Sequence, residues 1–384
     1  MKRTISIRLL STPEQNQALI ALQAAFANAC NMAVEYASAN KCANRVALHH
    51  LCYYDLREKF PELGSQMACN AIHAVAKAYK TLLANRLKLK NEDWPQIAFR
   101  SNASVHFDKR TYTLKGDMIS LFTLSGRTRL ELKTGKFQQD YLDTGTLKEA
   151  ELIRRKNAWY FNLVLDIPDP VKNSSGSVLG VDLGENNLAA TSTGKLFGGG
   201  CLSHERDKYL NLRRRLQSNG SKSAKQLLKK VSGRESRHVR HINHEISRAI
   251  IQEAIANNCN VIAMENLTNI RKRIKAGKRM RSRLHRWAWA QLQEFVEYKA
   301  QAAGIHVIYV NPAYTSQTCA FCGNIGNRNR HRFSCPLCGR QAHADLNAGL
   351  NIAALASCQR QASLGRTAVL PTGTVNCPNV AVFN

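Results

Sequence analysis

Three acidic residues and four cysteines are the positions in this chain whose types and spacing could do chemistry. Asp182 follows an apolar run in VLGVDLG, Glu265 ends another in NVIAMENL, and Asp345 opens an amphipathic stretch, HADLNAGLNIA. A lone ionised carboxylate among apolar neighbours is costly unless it is paired or binds a metal. Three that converge repel and raise one another's pKa values, and divalent cations remove that cost. Two Mg²⁺ ions about 4 Å apart, held by such a set, can clamp a scissile phosphate, activate a water and steady the leaving oxygen. Singly, each acid has a plainer reading: Asp182 as a turn cap, Glu265 as the partner of an arginine, Asp345 as a charge at a helix N-terminus. Their joint occurrence in one strand and helix order, on a very basic chain, favours metal-assisted phosphodiester hydrolysis.

The cysteines Cys319, Cys322, Cys335 and Cys338 are spaced C-x2-C-x12-C-x2-C. Two such knuckles can offer four thiolates to one Zn²⁺ at about 2.3 Å, and four protein ligands leave no open position, so this zinc is structural. Gly323 and Gly339 follow the two pairs, where a tight turn needs them. Two redox pairs are the alternative. Arg328, Arg330, His331, Arg332 and Arg340 make the tip of the segment basic and suited to nucleic acid. The other eight cysteines (Cys30, Cys42, Cys52, Cys69, Cys201, Cys259, Cys358, Cys377) have no close pairing and read as reduced thiols of a cytoplasmic protein.

Charge points to the partner. Lys plus Arg number 55 against 27 Asp plus Glu, a formal net charge of +28, which favours a polyanion, nucleic acid before a membrane surface. No segment reaches the ~18 apolar residues of a membrane span, and the start MKRTISIRLL lacks a signal-peptide core, so no membrane partner is expected. The densest basic run, residues 271–287, has nine Lys or Arg in seventeen and no acid. Its Arg271, Lys272, Arg273, Lys278, Arg279, Arg281, Arg283 and Arg286 follow Glu265 closely and are placed to hold phosphates. A solvated run is the alternative, for this segment and for the basic stretch 204–248 with Arg213, Arg214, Arg215, Lys229, Lys230, Arg237 and Arg240. Trp287 and Trp289 suit either base stacking or a core.

The elements that must position these groups fall into two parts. Residues 3–10 read as a lone strand. Thr12, Pro13 and Gln15 then start a helix with Leu19, Leu22, Phe26 and Ala33 on one face. A second helix over 65–89 carries Met67, Ala71, Ala74, Val75, Ala78 and Leu82. Residues 97–167 change to antiparallel strands, with Trp159, Phe161, Leu163, Leu165 and Ile167 alternating. This predicts a small β-barrel that includes the first strand and makes 11–95 a helical insertion. After a linker at 168–177, strands and helices follow in the order β-β-β-α-β-α-β-α, a mixed sheet with helices on its faces. Gly180 and Gly184 are expected to let backbone and substrate approach the metal ions.

GVDLG, IAMENL and YTSQTCAFCG…FSCPLCGRQAHADLNAGLNI together resemble the transposon-encoded TnpB nucleases and the compact type V CRISPR effectors related to them. The resemblance is firm over 178–356 and looser before. It implies an α/β multidomain chain: a RuvC-type, ribonuclease-H-like nuclease domain (178–315 and 341–357) with an inserted zinc ribbon (316–340). Ahead of it the resemblance implies a wedge β-barrel (1–10 and 96–170) carrying a helical recognition lobe (11–95), and behind it a C-terminal tail (358–384). It makes Asp182, Glu265 and Asp345 the catalytic ligands of two Mg²⁺ ions. The implied activity is RNA-guided double-strand DNA cleavage beside a short flanking motif, with guide RNA and target DNA as partners, in a prokaryotic nucleoid. Many relatives have D-R-D where this chain has His343-Ala344-Asp345. Asn347 is expected to support the site. Two other functions stay open. One is a cleavage-silent RNA-guided repressor, against which the complete acidic set speaks. The other is an actin-like ATPase, suggested by GVDLGENNLA, which would need a second similar half. A DNA-strand transferase using three acids is disfavoured by the ribbon set just before the last acid.

Overall fold

Alternation in the first strand decides its place. In β1 (Lys2–Leu10), Ile5, Ile7 and Leu9 are buried, while Ser6 and Arg8 between them face out, the two-residue period of a strand covered on one side. In the computed structural model, which describes residues 1–86, 94–171, 175–268 and 288–363, the chain divides into two units, Met1–Pro168 and Asp169–Asn384.

In the first unit β1 lies antiparallel between β5 (Gly126–Lys133) and β7 (Ala158–Asp166), with Ile5 opposite Leu163 and Ile7 opposite Phe161. With β2 (Val105–Phe107), β3 (Tyr112–Lys115), β4 (Met118–Thr123) and β6 (Thr146–Arg155), the sheet order is β2-β6-β7-β1-β5-β4-β3. The sheet curls, so that the Tyr112 hydroxyl on β3 donates to Lys148 O on β6 at 2.8 Å. It does not close: β2 and β3 are the two ends and do not pair. The expected barrel is therefore a half-barrel, with β2 and β3 as its two open edges.

Between β1 and β2 run α1 (Pro13–Ala39), α2 (Arg45–Lys59) and α3 (Gly64–Arg86). The Thr12 hydroxyl accepts from Gln15 N at 3.3 Å and the Gln15 side chain accepts from Thr12 N at 2.9 Å, a reciprocal cap that starts α1. Leu19, Leu22, Phe26 and Ala33 are buried in a core shared with β1, β5, β6 and β7. By length and composition α1 could cross a membrane, which corrects the expectation that no segment reaches that size; its buried face marks it as a core helix. On α3, Leu82 is exposed and Tyr79 is buried instead. A short helix, α4 (Lys136–Thr144), links β5 to β6.

The second unit is built on a five-stranded sheet of order β10-β9-β8-β11-β12. It comprises β8 (Ser177–Asp182), β9 (Asn187–Thr191), β10 (Leu196–Gly198), β11 (Cys259–Glu265) and β12 (His306–Val310). The β8–β11 and β11–β12 pairs are parallel and the others antiparallel. The basic stretch forms two helices, α5 (Gly200–Asn219) and α6 (Lys222–Ala256), separated at Gly220, whose φ of 66° is left-handed. Arg213 pairs with Glu235 across them, whereas Arg214, Arg215, Lys229, Lys230, Arg237 and Arg240 are exposed. The helix α7 (Trp289–Ala302) precedes β12. Ile262 and Met264 of β11 pack with Ile250 of α6 and Leu292 and Val296 of α7. The alternate residue Ala263 packs with Val310 and with Ile352 and Ala356 of α8 (Ala344–Ser363), so α8 covers the opposite face of the sheet. Trp289 belongs to the former cluster, which assigns it to the core rather than to stacking.

Candidate active site

Parallel pairing sets the first two acids side by side. Ala263 is opposite Gly180 and Met264 opposite Val181, so the next step of that register brings Glu265 beside Asp182 at the C-terminal ends of β11 and β8. The third acid comes from α8. A Cβ on Gly180 would lie 2.0 Å from Gly349 O and 2.6 Å from Ala353 N. Only glycine lets the α8 backbone rest on β8 there, and Asp345 sits one turn before Gly349. The expected role of Gly180 is thus corrected: the space it leaves is filled by the protein's own helix. Gly184 serves the turn into β9, where its N–H donates to Asn187 O at 3.1 Å.

Asp182 feels the other two acids. The Asp182 carboxyl is pushed up to about 7, first by burial and then by the negative charges of Glu265 and Asp345, with Arg328 opposing. Burial raises Glu265, while a hydrogen bond from the Thr315 hydroxyl and the charge of Arg328 oppose it. Asp345 is drawn aside: Oδ1 accepts from Arg328 Nη2 at 2.8 Å and Oδ2 from Asn187 Nδ2 at 2.9 Å. Consistent with this, the three carboxylates are not among the described groups whose ligand atoms all lie within 4.8 Å. Oxygen-only donors of this kind suit a hard divalent cation such as Mg²⁺.

The four cysteines do gather within 4.8 Å of one another, with Sγ separations of 3.7 Å for Cys319–Cys338 and 3.4 Å for Cys322–Cys335. A Zn²⁺ tetrahedron with bonds of about 2.3 Å has edges of about 3.8 Å. Gly323 and Gly339 take left-handed φ of 76° and 70°, and their N–H groups donate to Cys319 O at 2.9 Å and Cys335 O at 3.1 Å. The strands β13 (Asn327–Asn329), β14 (Arg332–Ser334) and β15 (Gln341–His343) complete this ribbon.

The ribbon is tied to the helix that carries Asp345. Asn347 Nδ2 donates to Thr318 O at 2.7 Å and its Oδ1 accepts from Ala320 N at 3.0 Å. Asn351 Nδ2 donates to Thr315 O at 2.8 Å and Thr318 O at 2.7 Å. Arg328, expected among the tip residues facing nucleic acid, instead turns in to Asp345. His343 Nδ1 accepts from Asp345 N at 3.3 Å, which gives the unusual histidine a capping role, and Ala344 is fully buried. Asn187, Thr315, Arg328 and Asn351 were not singled out as partners of the acids or their helix by sequence. Of these only Asn351 leaves a sequence signal, its i,i+4 spacing from Asn347 on one helix face. The segment with Arg271, Lys272, Arg273, Lys278, Arg279, Arg281, Arg283 and Arg286 lies outside the described residues.

A family model described as "Cas12f1-like, TNB domain" matches residues 289–352, and one described as "Probable transposase" matches 162–271. A structure of a Cas12f1–sgRNA–target DNA complex superposes with a TM-score of 0.63 at 18% identity, over 90% of this chain and 83% of that one. The fold is that of the compact type V nucleases. In sequence, the chain is 29% identical to the CRISPR-associated endodeoxyribonuclease Cas12f1 of Sulfoacidibacillus thermotolerans, over 83% of each chain. It is 31% identical to a TnpB-like protein of Methanocaldococcus jannaschii, over 63% of this chain and 91% of that one. The chain belongs to the TnpB family.

Proposed function

We propose that this protein is an RNA-guided, Mg²⁺-dependent DNA endonuclease, with the second unit as a RuvC-type, ribonuclease-H-like nuclease domain and the first as wedge and recognition lobe. The observation that carries the reading is the placing of Glu265 beside Asp182 at the ends of paired strands, with Asp345 near enough that burial and the charges of both acids push the Asp182 carboxyl up to about 7. The relatives support the substrate class: one is named as a CRISPR-associated endodeoxyribonuclease and another as a "Putative RNA-guided DNA endonuclease", and one structural neighbour is a complex with sgRNA and target DNA.

Asp182, Glu265 and Asp345 would hold the metal, which when bound supplies charge for the scissile phosphate and lowers the pKa of a water. Thr315 fixes the orientation of Glu265 and Asn187 that of Asp345. Arg328 balances the acidic charge from the ribbon side. The exposed arginines and lysines of α5 and α6 supply phosphate contacts, as does the basic segment 271–287. The actin-like ATPase reading has no support, because the first unit is an antiparallel sheet with helices and not a second copy of the mixed sheet.

The test is to purify the protein with the RNA it carries in cells and incubate it with a plasmid library of randomised flanking sequence. Cleavage requiring Mg²⁺ and abolished in Asp182→Ala is expected. Cleavage unchanged in Asp182→Ala, or none by the wild type, refutes the proposal. RNA-dependent binding without cleavage by the wild type would favour the repressor.

A further inference from the structure

The first unit holds another set of side chains with metal-ligand chemistry, none of which the nuclease reading uses. His73 lies on α3, His106 on β2 and Glu149 on β6. His73 Nδ1 is 3.3 Å from His106 Nε2, which is 3.7 Å from Glu149 Oε2. One ligand atom from each residue lies within 4.8 Å of the other two. A tetrahedral ion with bonds of about 2.05 Å to nitrogen and oxygen has ligand edges of about 3.3 Å, which the first separation meets and the second approaches. The imidazoles stand at 87° with centroids 4.9 Å apart, so their nitrogens converge while their faces do not stack.

The backbone explains how the three meet. On the β2–β6 ladder His106 is opposite Glu151, so Glu149, two residues along β6, shares the face of His106. The β6–β7 register shifts between Leu147 and Ala150, which puts Glu149 in a bulge, a feature that re-aims a side chain. At 3.7 Å the His106–Glu149 gap is too long for a hydrogen bond and a few tenths of an ångström wider than the edge of an ion bonded to both. His106 is buried, and burial holds its imidazole neutral with a lone pair to give. Lys77 lies 3.9 Å from Glu149 and 3.8 Å from Glu151; its half-exposed ammonium can stay with Glu151 when Glu149 turns to a metal.

We propose that His73, His106 and Glu149 bind a divalent transition-metal ion of the Zn²⁺ type, pinning α3 to the β2 end of the half-barrel. The site has three protein ligands and one open position for water.

The test is zinc content of the tag-free full chain, loaded with Zn²⁺ and passed through gel filtration. Two zinc ions per chain are expected for the wild type and one for Glu149→Gln and His73→Gln, both half-buried positions that tolerate the change. Cys335→Ser is expected to lose the other ion and keep this one. Co²⁺ loading separates the two sites, since only the cysteine site gives intense sulfur-to-metal absorption. One zinc per wild-type chain, or a second zinc retained by both Glu149→Gln and His73→Gln, overturns the proposal.

Discussion

Substituting Gly180 by alanine is the sharpest test of how the third acid is delivered. The new methyl would meet Gly349 O at 2.0 Å, Ala353 N at 2.6 Å and Ala353 Cβ at 3.0 Å. Two of these are backbone atoms of α8 and cannot rotate away, so helix and strand must part by about 1 Å. Overpacking of this kind costs about 1–3 kcal/mol, against which alanine regains about 0.5–1 kcal/mol over glycine in a strand. In a domain of this size about 1 kcal/mol moves the melting temperature by about 2–4 °C, so Gly180→Ala should melt several degrees lower. Gly200→Ala, where a Cβ meets nothing within 4 Å, is the control and should stay within about 0.5 kcal/mol of the wild type. Because Asp345 moves with α8, a displacement of about 1 Å should also lower cleavage by about 100-fold. Thermal melts of both variants, followed by cleavage kinetics, check both parts. If Gly180→Ala melts with Gly200→Ala, α8 is not seated on β8 through that glycine and the reasoning fails.

Two further outcomes are expected. The Asp182 carboxyl, ordinarily near 3.8, is pushed up to about 7 in the fold. The folded state therefore keeps a proton that the unfolded chain releases between these values, and stability without Mg²⁺ falls as pH rises from about 4 to 7, by at most about 4 kcal/mol. Urea melts of Asp182→Asn should show a flatter pH dependence than the wild type; equal slopes would assign the effect elsewhere. Removing zinc, by chelation or by Cys335→Ser, should open residues 319–340 to protease and loosen the Asn347 and Asn351 anchors, because the ribbon's own core is little more than Phe333, Ala344 and the cysteines. Undiminished protease resistance in the zinc-free protein would contradict this.

What could be read from sequence follows the range of the forces involved. The alternation of Trp159, Phe161, Leu163 and Leu165 is local, and so is the knuckle spacing of the cysteines; each names its element directly. Asp182 and Glu265 stand out in the sequence because an acid at the end of an apolar strand is costly and therefore informative. Their companions do not. Asn187, Thr315 and Arg328 are ordinary polar residues whose meeting with Asp345 and Glu265 depends on strand order and on the seating of α8. Gly180 was noticed, but the atom facing it belongs to Gly349, far along the chain. Closure of the first sheet was not legible, because whether β2 and β3 meet depends on the curl of all seven strands and not on the residues in those two. His73, His106 and Glu149 carry no spacing signature at all, since a helix, an edge strand and a bulge bring them together.

The covering of the second sheet by α8 also orders events during synthesis. Asp182 and Glu265 leave the ribosome well before Asp345, and until α8 follows, Val178, Ala263, Ile308 and Val310 have nothing over them. A nascent or prematurely terminated chain thus carries two acids of three and a bare apolar sheet. On the proposed mechanism such a chain lacks the third ligand of the metal site. Placing the last acid on the element that seals the sheet makes completion of the polypeptide a condition for the proposed chemistry.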